Sequence, residues 1–94
     1  KVQLDFFDET GGHASLMTAD TGRIDDQTHL FTARGNVIVR SDSGMTLATN
    51  ILFWNESKAL IYTDQPITMT SPTDTLYGIG FESDANLDNW VITK

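Results

Sequence analysis

No cysteine occurs in this 94-residue chain. A disulfide framework and a thiolate metal site are therefore both excluded, and cysteine usage leaves the redox compartment undecided. Histidine is nearly absent as well. His13 follows Gly11-Gly12 in a turn signal, and His29 precedes Leu30 at the start of a strand. Both read as turn or surface residues, which leaves little from which to build a nucleophile, a base and an orienting group. Basic residues are few: Lys1, Arg23, Arg34, Arg40, Lys58 and Lys94 stand singly against 13 acidic side chains, for a net charge of −7. Nucleic-acid binding is disfavoured, because the phosphate contacts that supply its affinity have no clustered donors here. Docking on an anionic membrane surface is disfavoured for the same reason. No apolar run approaches the ~18 residues of a membrane-spanning helix, and no signal-peptide pattern is present. The expectation is an excised piece of a longer protein whose targeting segment lies upstream.

What is there reads as β structure. The apolar fraction, 39%, is too high for a disordered chain, and a domain of this size buries only roughly 60–65% of its unfolded surface. Turn signals recur at Glu9–Gly12, Asp20–Gly22, Asp25–Gln27, Gly35-Asn36, Ser41–Gly44, Asn55–Ser57, Asp64–Pro66 and Ser71–Asp74. Between them lie runs of four to eight residues rich in Val, Ile, Thr, Phe and Tyr, the pattern of short strands separated by turns. No window keeps helical spacing, and Phe81 to Trp90 reads as an irregular loop. Alternation puts Val37, Val39 and Ser41 on one face, Ile38 and Arg40 on the other. Ile67 with Met69, and Leu47 with Thr49, follow the same rule. Gly78 and Gly80 inside a strand predict a bend, a bulge or a close backbone approach. A sandwich, a roll or an open barrel satisfies all of this.

The strands repeat. Leu-x-Thr occurs at Leu16–Thr18, Leu30–Thr32 and Leu47–Thr49, with a degenerate copy at Leu76–Gly78. Val37-Ile-Val39 returns 30 residues later as Ile67-Thr-Met69, Leu30 as Leu60, and Asp25-Asp26 as Asn55-Glu56. A repeated hairpin cannot bury its apolar face alone, so such units stack and share one surface. Leu16, Leu30, Val37, Val39, Leu47, Leu60, Ile67, Met69 and Leu76 fall at equivalent places and are expected to form a ladder along the inner face. That ladder is either a filled core or, where the layers splay, the lining of a groove for an elongated apolar ligand. Phe6, Phe7, Trp54 and Trp90 are candidates for its rims, and Phe53 for the core.

Chemistry-bearing patterns are weak. Asp84-Ala-Asn-Leu-Asp88 has calcium-loop spacing but lacks the glycine, the closing glutamate and the flanking helices, so it reads as an Asx-rich turn. Gly78-Ile-Gly80 has no following helix and cradles no phosphate. Acidic pairs such as Asp25-Asp26 mark solvated turns. No catalytic residue, metal ligand or cofactor site is assigned, and the chain is expected not to be an enzyme.

Four segments carry a resemblance: LMTADTG at 16–22, TARGNVIVRSDSGMTLATNILFWN at 32–55, LIYTDQPITM at 60–69 and YGIGFESDANLDNWVI at 77–92. Together they resemble the LptC-type proteins of lipopolysaccharide export, within the wider OstA-like (LptA/LptC) superfamily, over essentially the whole chain. The resemblance implies an all-β fold, a twisted antiparallel β-roll or jelly-roll-like boat of repeated hairpins, as one periplasmic domain over 1–94. It also implies an N-terminal inner-membrane anchor helix outside this sequence, and lipopolysaccharide acyl chains held inside the roll. Strand edges would pair with the membrane subunits of an inner-membrane ABC transporter and with an LptA-like bridge protein. The net charge adds that acyl chains, rather than phosphate headgroups, are gripped. Two other readings stay open: an edge-to-edge scaffold with no internal ligand, and a carbohydrate-binding jelly roll using Trp54 or Trp90.

Overall fold

The computed structural model describes residues 2–7, 10–84, 87 and 89–93. The strands are β1 (Val2–Phe7), β2 (His13–Ala19), β3 (Thr21–Asp25), β4 (Leu30–Ser41), β5 (Thr46–Asn55), β6 (Leu60–Thr70), β7 (Thr75–Ser83) and β8 (Trp90–Ile92). They make one antiparallel sheet in the order β1-β2-β4-β5-β6-β7-β8. β3 lies on the same side of β4 as β2: β2 pairs the Ile38–Ser41 end and β3 the Leu30–Arg34 end.

The strands are longer than turn signals predict, because three of those signals are corners rather than turns. At Asp20, Gly35-Asn36 and Asp64–Pro66 the chain bends and continues in the same sheet. β4 carries one extra residue between Arg34 and Val37, and β6 one between Thr63 and Pro66. Such bulges bend a strand without ending it. Gly35 (φ 81°) and Asn36 (φ 47°) both adopt left-handed backbone, which explains their turn-like chemistry. A Cβ on Gly35 would lie 2.6 Å from the Asp20 carboxylate. Asn36 Nδ2 donates to that same carboxylate at 3.1 Å, and Asp20 N donates to Gly35 O at 2.8 Å. On β6, Pro66 sits where the ladder is already broken and its missing N–H costs nothing. Two inward hydroxyls meet carbonyls along this bend: Thr63 Oγ1 donates to Ile51 O at 2.6 Å, and Thr49 Oγ1 to Pro66 O at 3.0 Å.

The 30-residue repeat is structural. Leu30–Arg40 and Leu60–Thr70 share the same order of buried, half-buried and exposed positions, residue for residue. The turns before them also match: His29 and Ala59 have φ of 57° and 52°. Thr28 N donates to Asp25 Oδ1, as Lys58 N does to Asn55 Oδ1 thirty residues on. The Thr28 and Gln27 amides hold the Asp25 carboxyl below its ordinary pKa.

One face of β2, β4, β5 and β6 is buried, and a single sheet must find cover for it. The cover is its own other half. Phe6 on β1 stacks on Trp54 of β5 at 4.6 Å between ring centroids, across strands that are not neighbours in the sheet. Bending at the shared corner thus folds the sheet into a roll whose two ends of the strand order stay open. No helix occurs among the described residues, and none is long and apolar enough to cross a membrane.

Candidate functional site

The interior is built from cross-strand rows. Leu4 faces Met17, Met17 faces Val39, Val39 faces Leu47, Leu47 faces Met69, and Met69 faces Leu76. This apolar row crosses six strands. A second row runs Val37, Thr49, Ile67, Gly78. In the other half, Ile24, Phe31, Trp54, Ile61, Ser83 and Trp90 are in register. Side chains opposite one another in this way are the contacts that stabilise a sheet.

Five of the nine residues expected on the inner ladder are there: Val37, Val39, Leu47, Ile67 and Met69, at 0–3% exposure. Leu76 belongs to the same row but is 43% exposed, because that part of β7 has no strand beyond it. Leu16, Leu30 and Leu60 are half-buried on the opposite face, since each immediately precedes an inward residue: Met17, Phe31 and Ile61. The reason is parity. In Leu47–Thr49 both ends of the tripeptide point inward, whereas in Leu30–Thr32 both point outward, so Leu-x-Thr recurs on both faces of the sheet. Phe53 is likewise outside the core; it is half-buried on the outer face, stacked on Tyr62 at 5.2 Å.

Sequence reasoning missed Met17, Leu52, Ile61, Phe81 and Leu87, all essentially inaccessible. Alternation inside β2 and β6 carries the signal for Met17 and Ile61. Leu52 is hidden by the slip in pairing between Thr49 and Phe53, and Leu87 lies in the loop after β7. The calcium-like run falls largely on residues 85, 86 and 88, outside the described ones.

One apolar opening lies on the β1–β3 side of the roll. It is a cavity of ≈ 340 Å³ lined by Leu4, Phe6, Phe7, Ile24, Phe31 and Trp54, with Asp5, His29 and Glu56 also contributing. That is at the lower end of small-ligand sites, ~300–1,000 Å³. Phe7 and Ile24 are exposed large apolar side chains on this side; Leu76, Tyr77, Ile79 and Val91 are their counterparts on the β7–β8 side. A second depression, ≈ 470 Å³, lies on the outer face along β3 and β4 and is lined by Arg23, Arg34 and Asp25 among others. His13 is hydrogen-bonded to a carboxylate at each ring nitrogen, Asp42 at Nδ1 and Asp5 at Nε2. Neither nitrogen is free to take a proton from a nucleophile.

Over residues 1–93 the sequence that forms this roll matches the family model for LptC-related lipopolysaccharide-assembly proteins. The chain belongs to the LptC family. No curated protein matches it. Membership makes this LptC-family domain a component of the lipopolysaccharide transport system of the cell envelope, within a family of transport and assembly proteins. The twisted antiparallel roll expected from the resemblance is the fold observed, one open sheet not closed into a barrel.

Proposed function

We propose that this LptC-family domain carries lipopolysaccharide by its acyl chains, which lie between the two halves of the roll. It would receive them from an inner-membrane ABC transporter and pass them to a periplasmic LptA-like bridge protein, with which its free strand edges pair. In this reading the domain stands in the periplasm, tethered to the inner membrane by a helix outside this sequence. The observation that carries it is the direction of the six-strand row. It begins at Leu4, beside the apolar opening, and ends at the exposed Leu76, so one apolar line joins the two open sides of the roll. Charge agrees: at −7, with single scattered cations, the domain repels phosphate headgroups.

Parity makes the reading testable. A photoreactive phenylalanine analogue at Leu76, at the end of the inner row, is expected to crosslink lipopolysaccharide. The same group at Tyr77, one residue on and facing outward, is not. Capture at Leu76 should survive a rise from roughly 0.1 to 1 M salt, over which the Debye length falls from about 10 to 3 Å. It should also survive Arg23→Gln and Arg34→Gln. Equal crosslinking at both positions, or capture lost with salt and with those arginines, would sink the acyl-chain reading.

A further inference from the structure

His13 joins three elements through one ring. From the first position of β2, its Nε2 lies 2.8 Å from Asp5 Oδ1 on β1. Its Nδ1 lies 2.8–2.9 Å from the Asp42 carboxylate in the turn after β4. With the imidazole protonated, these are the two ion pairs among the described residues. β1 is itself an edge strand, paired with β2 alone among the described residues. Its register slips between Phe6 and Phe7, beside the point where Phe7 faces His13. Inside the roll, β1 contributes Phe6, stacked on Trp54, and Leu4, the first member of the six-strand row. Lifting β1 would therefore uncover Met17, otherwise wholly buried, and join the adjoining apolar cavity to the interior.

We propose that β1 is a flap over the interior, latched by the Asp5–His13–Asp42 bridge while the imidazole carries both protons and loosened when it loses one. Its role as an access route rests on the acyl-chain reading above; the latch itself does not. The chemistry follows from counting protons. Neutral imidazole has one N–H and one lone pair, so it satisfies one carboxylate and turns a lone pair toward the other. Both contacts together need the imidazolium. In keeping with this, the hydrogen bond to Asp42, and next that to Asp5, raise the His13 pKa above its ordinary value. Asp5 and Asp42 are the charged groups acting on the ring among the described residues. Phe7 adds an uncharged edge-on ring at 5.8 Å, and Arg40 shares the cross-strand row of Asp5 with Leu16 between them. A raised folded-state pKa means the latch contributes in full below the ordinary imidazole value of about 6.5 and is lost as pH rises through the raised one. The flap thus closes on the acid side and loosens on the alkaline side.

Because the chain has no cysteine, a single introduced thiol reports on one place. In Met17→Cys, labelling corrected for the thiolate fraction should rise roughly two- to fivefold between about pH 5.5 and 8, the range an exposed ion pair supports. Adding His13→Gln should leave labelling fast and flat across that range. Leu47→Cys, deeper in the same row and between strands that stay paired when β1 lifts, should label far more slowly than Met17→Cys at every pH, which separates flap opening from global unfolding. Flat labelling of Met17→Cys with His13 intact, or labelling of Leu47→Cys as fast as that of Met17→Cys, overturns the latch. Lipopolysaccharide crosslinking at Leu76 is then read at both pH values. A pH-dependent flap with no lipid captured at either pH supports the latch and counts against the acyl-chain reading. Capture without pH-dependent labelling does the reverse.

Discussion

Leu47→Ala is expected to lower the free energy of unfolding by about 2–5 kcal/mol, whereas Leu16→Ala should cost about 1 kcal/mol or less. Each opens a copy of the same tripeptide, and each lies on a strand paired on both sides. Leu47 is fully buried between Val39 and Met69 in the six-strand row, so its loss leaves a cavity lined by side chains from adjacent strands. Leu16 sits on the outer face, across from Asp5 and Arg40, where water fills the space the side chain leaves. Urea unfolding measures the contrast as a shift in midpoint at constant slope. A reversed order would mean that β2 pairs one residue out of the register described, because such a slip exchanges the faces of every side chain.

Gly80→Ala should cost about 1–3 kcal/mol and free the C-terminal strand. Gly80 has φ +81°, a conformation that an L side chain adopts at a penalty. A Cβ there would also run into the Thr93 hydroxyl. Thr93 is tied to the same strand, its amide donating to Gly80 O at 3.1 Å and its hydroxyl to Ile79 O at 3.4 Å. Two residues earlier, Ile92 covers Gly78 so closely that no side chain fits between them. β8 therefore docks on a strip of β7 kept bare by two glycines. Faster amide hydrogen exchange at Val91–Thr93 is the expected signature. Gly11→Ala is the control, since Gly11 has φ +87° with nothing within 4 Å of a Cβ. It should cost about 1 kcal/mol from backbone conformation alone and leave β8 in place. Equal losses in the two variants, with exchange in β8 unchanged, would show that close approach contributes nothing.

The glycine pair was legible as an anomaly within a strand; its partner was not, because Ile92 and Thr93 meet it only after the loop following β7 returns the chain. The same contrast runs through the candidate site. Within an uninterrupted strand the alternation is set by backbone geometry, so Val37 with Val39, and Ile67 with Met69, are placed from sequence. Across a bulge that parity is decided by which strand carries the extra residue, and nothing in Gly35-Asn36 or Asp64–Pro66 distinguishes a corner from a hairpin turn. Both need left-handed or N–H-free backbone, and both recruit the same residue types. The strands consequently read as four to eight residues long, where β4 and β6 run to 12 and 11.

The sequence by itself determined the class of fold, the 30-residue hairpin unit and the want of catalytic and cationic groups, and its segments resemble the LptC family. Each follows from local chemistry: side-chain period, turn residues and composition act over a few positions and need no distant partner. Only the tertiary structure decided which leucines face inward, that Phe6 closes on Trp54, and that His13 binds β1 to a turn 29 residues away. Those contacts depend on how a bent sheet folds over itself. Residues far apart along the chain become neighbours there, and a shift of one position in pairing would undo them.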